Sequence, residues 1–365
     1  MNFPAELNEK VEAQKLRNET FWKGPDIDGL TQSLLDRFMS CRHRFWVKTV
    51  LGLAPPEGFS AAIEFGNYWH YAEESFAAGE PIEQRLLEYA KELCDKYPDR
   101  KQDVLNWYNM CLMEFPLYAD YWKDHPDVKN RKPLVQECNF RVSYVVHGDR
   151  QVTLRGKWDS VDQVGKNKLV LQENKTKAQI NELELQRSLT FDMQTMIYVA
   201  ALRRAGISKL EPSEVRYNVI RRPLHTQKKP TKSNPGGESL KEYYDRVAGE
   251  IKKKPDHFFM RWNTPISSAD IDVFEETFLV PILNELCRWW EWVKVDPLNP
   301  FRYPTEGEVR SGYANIAGGG VHYRAPYGRY DPLAHGGSSD VDAFINTGSR
   351  VGLERVRTLF PELEG

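Results

Sequence analysis

Residues 156–176 read GKWDSVDQVGKNKLVLQENKT. Apolar and polar residues alternate on both sides of the turn-forming Gly165-Lys166-Asn167, the pattern of a β-hairpin. A turn centred near Lys166 sets Asp159 on the first strand opposite Glu173 on the second. Alternation then gives Glu173 and Lys175 a common face, since they are two apart. Leu169, Val170 and Leu171 form an apolar run just before Gln172-Glu173, so the acid emerges from a strand of buried character. Like charges across a strand pair are destabilising unless something neutralises them, and a hard divalent cation bound by carboxylate oxygens does so. Such a cation lowers the pKa of a coordinated water, while a nearby ammonium stabilises charge developing on a phosphoryl oxygen. These residue types point to phosphodiester hydrolysis. The competing reading of the same residues is a solvated hairpin whose surface ion pairs contribute little.

Working outward, VQECNFRVSYVV (135–146), QVTLRGKWDSVDQV (151–164) and KLVLQENKT (168–176) read as an antiparallel meander. One helix over 185–204 follows, stopped by Ala205-Gly206, and then the strand EVRYNVI (214–220). The order is β-β-β-α-β. Upstream, the periodicity predicts helices over 30–50, 61–78, 81–97 and 101–123. On the first of these, Leu34, Phe38, Cys41 and Phe45 form the apolar stripe, with Arg37, Arg42, Arg44 and Lys48 off it. Downstream, residues 221–237 form a basic, Pro- and Gly-rich loop. Helical patterns at 239–253 and 268–295 flank the strand-like 257–267, and from Pro297, through Gly318 to Gly320, the chain is irregular. The expected segments are an arm (1–28), a helical region (29–130), the core (131–222), the basic loop (223–238) and a C-terminal helical and irregular region (239–365).

The 365 residues carry 50 Lys plus Arg against 52 Asp plus Glu, and 41% hydrophobic with 28% charged residues is the balance of a soluble globular chain. No apolar run approaches the roughly 20 residues that cross a bilayer. MNFPAELNEKVEAQK has no signal-like apolar core, so a cytoplasmic protein without membrane contact is expected. Five scattered cysteines, never in a CxxC pair, read as reduced thiols. A net charge of −2 argues at first against a nucleic-acid partner. It does not exclude one, because the bases concentrate in the Arg37 to Lys48 helix and the Arg221 to Lys232 loop, predicting a polarised surface.

Five blocks in order, TQSLLDRFMSCRHRFW (31–46), FGNYWH (65–70), GKWDSVD (156–162), LQENKTK (171–177) and FDMQTMIY (191–198), resemble the PD-(D/E)XK nuclease superfamily, specifically its RecB-like exonuclease branch with phage and CRISPR-associated members. The resemblance runs from Leu30 to Arg222 and implies an α/β, restriction-endonuclease-like core: a mixed central sheet flanked by helices, with a helical N-terminal region. It implies that Asp159, Glu173, His70 and the Asn174 carbonyl bind Mg²⁺ or Mn²⁺, and that Lys175 is the catalytic lysine. It further implies that Gln194 and Tyr198, four apart on one helix face, line the site. An imidazole ligand suits Mn²⁺ at least as well as Mg²⁺. Gly66, one turn before His70, would permit close approach, and Glu74, one turn after, would orient the ring.

One departure is plain: relatives that hold an iron-sulfur cluster pair a cysteine at the position of Cys41 with three near the C-terminus, and nothing after Cys287 is cysteine. No cluster is expected. No GxxxxGK[ST] motif occurs, so no nucleotide cofactor is expected, and any helicase, recombinase or CRISPR-type function would come from a partner. Arg37, Arg42 and Arg44 on one side, and Arg221, Arg222, Lys228, Lys229 and Lys232 on the other, are the expected DNA contacts. The function so implied is a divalent-metal-dependent exonuclease acting on DNA, single-stranded or with free ends, in recombination, repair or phage DNA processing. Its rivals are a structure-specific or defence-associated endonuclease and a non-catalytic DNA-binding subunit.

Overall fold

The computed structural model describes residues 20–40, 42–54, 57–190, 192–231, 235–295 and 354–363. Helices α1 (Gln32–Ser40) and α2 (Arg42–Phe45) lead into a π-helical turn at Trp46–Val50 and the short strand β1 (Leu53–Ala54). Then come α3 (Ala61–Ala78), α4 (Ile82–Lys96), α5 (Lys101–Trp122) and α6 (Pro126–Lys129). The meander is β2 (Arg131–Val146), β3 (Arg150–Val164) and β4 (Lys168–Lys177). Helices α7 (Glu182–Thr190) and α8 (Met193–Ala205) connect it to β5 (Pro212–Arg221). After α9 (Leu240–Lys253), α10 (Pro255–Phe258) and β6 (Phe259–Pro265) come α11 (Ser268–Phe274), a π turn at Glu275–Leu279, α12 (Val280–Val293) and β7 (Glu354–Arg355).

The sheet runs β2-β3-β4-β5-β6. β4 pairs antiparallel with β3 and parallel with β5, which pairs antiparallel with β6. A parallel pair cannot be joined by a tight turn, so the chain crosses over through α7 and α8 between β4 and β5. This is the mixed, helix-flanked α/β sheet expected from the sequence.

Three expected helices are interrupted. The one over 185–204 is two, because the Asp192 carboxylate accepts from the Thr195 N–H and caps a fresh start at α8; Gly206, at φ 64°, ends it as expected. The patterns over 30–50 and 268–295 each widen into a π turn, while Leu34, Phe38 and Phe45 in the first and Leu279, Leu283 and Leu286 in the second stay buried. Cys41 and Gly318 to Gly320 lie outside the described residues.

The chain divides into two compact units, discontinuous in sequence: residues 1–57, 139–157 and 272–365, and residues 58–138 and 158–271. In the first, β1 pairs antiparallel with β7, and Trp22, Phe38, Phe45, Trp289 and Trp290 form an aromatic cluster, edge-to-face except for the tilted Trp22–Trp290 pair. The second holds the larger helical core, in which Phe65, Tyr68 and Trp69 of α3 pack with Phe115 and Tyr118 of α5. Ile220 and Phe259 join from β5 and β6, so the core seats α3 beside the sheet. Each fully buried aromatic ring contributes about 2 kcal/mol. Among the described residues no helix is long and apolar enough to cross a membrane.

Glu114 lies in this core fully buried, with neither carboxylate oxygen hydrogen-bonded, and burial pushes its carboxyl well above the usual range. A group raised in this way favours the fold at low pH and opposes it as pH rises. Glu114→Met is therefore expected to stabilise the protein by about 1–3 kcal/mol. The gain in Tm should be larger at about pH 8 than at about pH 5; a loss at both would contradict this reading.

Candidate metal centre

β3 and β4 pair from Ser160↔Gln172 to Val164↔Lys168, and the register carried one residue further sets Asp159 against Glu173. At this end the Asn174 N–H donates to Asp159 Oδ2 at 2.6 Å, fixing the carboxylate. Glu173 and Lys175 share a face of β4, and α8 brings Gln194 to it. Gln194 Nε2 donates to Glu173 Oε1 at 2.7 Å, while Lys175 Nζ donates at 2.8 Å both to that oxygen and to Gln194 Oε1. The Asp192 cap decides where α8 begins, and so where Gln194 stands.

His70 comes from α3. Gly66, one turn earlier, lets helix and strand approach: a Cβ there would meet Thr176 Oγ1 of β4 at 3.3 Å. His70 Nδ1 lies 3.7 Å from Glu137 Oε1 and 3.8 Å from Asp159 Oδ1. One potential ligand atom from each of His70, Glu137 and Asp159 falls within 4.8 Å of the others. The carboxylates are buried, with side-chain exposures of 6% for Glu137, 9% for Asp159 and 3% for Glu173, whereas His70 is 39% exposed and opens the cluster to solvent.

Burial and the Glu173 charge push the Asp159 carboxyl far above its usual range, partly offset by His70. Burial alone would lower His70, but Asp159, Glu137 and Glu173 outweigh it and hold the imidazole up. Burial likewise opposes the Lys175 ammonium, and Glu173 more than compensates, so the group stays protonated. Glu73, three residues after His70 on α3, is also held above the carboxylate range by burial, against a hydrogen bond with Tyr118.

A polar chain supports β4 from behind. Asn218 Nδ2 donates to Asn174 Oδ1 at 3.0 Å, Arg261 Nε donates to Asn218 Oδ1 at 2.7 Å, and the Arg261 guanidinium stacks 3.9 Å from the Trp122 ring centre. Asn218 is fully buried. This chain pins the strand that carries Glu173, Asn174 and Lys175.

The sequence profile of the PD-(D/E)XK nuclease superfamily matches residues 29–268, which contain every residue of this cluster. The chain belongs to the PD-(D/E)XK nuclease superfamily. No curated protein matches it. A solved protein described as "Crystal structure of SSO0001" aligns over 61% of this chain and 73% of its own, with 13% identity and a TM-score of 0.26.

PD-(D/E)XK nucleases use divalent metals, and this one has donors that fit. Glu173 Oε2 is buried with no hydrogen-bond partner, an orphaned anionic atom beside Asp159 and His70. Carboxylate oxygens and one imidazole nitrogen are the donor set of Mg²⁺ or Mn²⁺.

Of the expected site residues, Lys175, Glu173, Asp159, Gln194, His70 and Asn174 come together. Tyr198 lies one turn beyond Gln194, buried, with its carbonyl accepting from Trp158 Nε1 at 3.1 Å. The carboxylates at His70 Nδ1 are Glu137 and Asp159, not Glu74. Glu137 escaped the sequence reading because it lies inside a strand pattern; its signal was the adjacent polar pair Gln136-Glu137, which breaks the alternation. Asn218 and Arg261 escaped it as well.

The expected DNA contacts divide. Arg42 is withdrawn from that set: it is buried against the Phe38 ring, donates to the Phe38 carbonyl at 2.8 Å and pairs with Glu285 at 2.5 Å, so its charge serves packing. Arg37 donates to Thr49 Oγ1 at 2.9 Å, and Arg44 is exposed. Arg221 Nε is taken by the His257 carbonyl at 2.9 Å. Arg222 lies 5.2 Å from the Trp107 ring centre, with Nε and one terminal nitrogen lacking a hydrogen-bond partner. Lys228 and Lys229 are exposed on a loop whose ends Glu238 joins, bonding the Lys228 N–H at 2.9 Å and Arg246 at 2.7 Å. Lys232 lies outside the described residues.

Proposed function

We propose that this PD-(D/E)XK nuclease is a RecB-like deoxyribonuclease that degrades DNA from free ends. The observation that carries the reading is the closed ring of Glu173, Lys175 and Gln194 beside Asp159 and His70. His70, Asp159, Glu173 and the Asn174 carbonyl would hold the cation, which supplies polarisation of the phosphoryl oxygen and a water of lowered pKa. Lys175, kept as an ammonium, donates to the oxygen on which charge develops. Gln194 holds Lys175 and Glu173 at fixed separation, so that the donor needs no reorganisation when the phosphorus becomes pentacoordinate. Lys228 and Lys229, both exposed on their loop, are the phosphate contacts best placed to bind the strand. Mn²⁺ serves at least as well as Mg²⁺ because one donor is nitrogen. The work is DNA recombination, repair or phage DNA processing, with any strand-separating motor supplied by a partner protein.

The test compares an end-labelled linear duplex and its single strands with a covalently closed circle of the same sequence, in Mn²⁺. Degradation of the linear substrates with the circle intact is expected. Cutting of the circle would replace the end-dependent reading with an endonuclease.

A further inference from the structure

Glu137 is unexplained by strand geometry. From residue 139 to 146 the burial of β2 alternates strictly, yet residues 134 to 138 are all half-buried. Glu137 has φ +43°. Among the described residues only Asp149 shares a positive φ without being glycine, and Asp149 sits in the Gly148-Asp149 turn where that conformation is ordinary. A residue so displaced inside a strand marks a local bulge, which re-aims its side chain. Glycine would adopt this backbone without strain. The chain instead keeps a glutamate and buries its carboxylate 3.7 Å from His70 Nδ1.

Two costs are thus paid at one residue, a strained backbone and a third buried carboxylate beside Asp159 and Glu173. Strain of this kind persists where a side chain has a task. We propose that Glu137 is a direct ligand of the divalent cation, together with His70 and Asp159. The orphaned Glu173 oxygen is the independent sign that the cluster takes a cation. The inference rests on the metal-centre reading and extends its ligand set. A rival role, orienting His70 by hydrogen bonding, asks only for an acceptor oxygen, which glutamine retains.

The test uses the full-length protein and Mn²⁺ alone, with affinity read by calorimetry or electron paramagnetic resonance and Tm measured in chelator. Glu137→Gln is expected to weaken Mn²⁺ at least tenfold, the scale seen when a group supporting a metal site is lost. Glu137→Gly is expected to weaken it as much while holding or raising the Tm in chelator, because it relieves the backbone. Wild-type affinity in Glu137→Gln would overturn the proposal in favour of the orienting role. A lowered Tm in chelator for Glu137→Gly would also overturn it, showing that the carboxylate holds the fold. Failure of the wild-type protein to bind Mn²⁺ would instead overturn the metal centre itself, and Asp159→Asn separates the cases by losing Mn²⁺ whatever Glu137 does.

Discussion

Lys175→Ala is expected to slow single-turnover cleavage of DNA by about 10² or more, the scale of removing one preorganised donor to transition-state charge. Glu173 and Gln194 hold the ammonium between them, and Glu173 keeps it protonated despite burial. In the proposed role it acts on charge that appears during reaction, so the loss should fall on the rate and leave DNA affinity nearly unchanged. Removing a cation from beside the carboxylates should leave Mn²⁺ affinity equal or tighter. Lys175→Met, which keeps much of the packing, should match alanine. Cleavage at the wild-type rate by either variant would remove Lys175 from the chemistry.

Asp159→Asn is expected to have the larger effect, weakening Mn²⁺ and slowing cleavage by several kcal/mol, about a thousandfold. Asp159 carries a pH dependence with it. Its carboxyl is raised by burial and by Glu173, and His70 is raised by the surrounding carboxylates despite burial. Both raised groups favour the folded, metal-free protein at low pH, and that stability is lost as pH climbs through their elevated values. A cation must displace these protons, so Mn²⁺ affinity should climb from about pH 6 to about pH 9, with protons released to buffer. Over the same range the Tm in chelator should fall, less so in Asp159→Asn. A pH-independent Mn²⁺ affinity would show that the cluster holds no such protons.

The hairpin was legible because strand pairing has period two: once the turn was centred, Asp159, Glu173 and Lys175 followed, and the observed register agrees. Gln194 was legible through the family block that contains it. Glu137 was hidden because its positive φ interrupts the same periodicity that made its neighbours readable. The break before α8 was hidden because an aspartate cap in an apolar run looks like one more polar position. Arg42 misled because its stem is buried while its charged head pairs with Glu285, which lies 243 residues away. The residues 139–157 that β2 and β3 give to the first unit carry no compositional boundary, so contiguous segments were all that composition could mark.

The most direct measurement is a Mn²⁺ titration in which site occupancy and cleavage of a linear DNA are followed on the same wild-type sample. The expected result is no hydrolysis in excess chelator and a rate that rises in step with occupancy, both shifted together to higher Mn²⁺ in Asp159→Asn. Hydrolysis that persists in chelator, or none at saturating Mn²⁺, would contradict the assignment of this cluster as the metal centre of a nuclease.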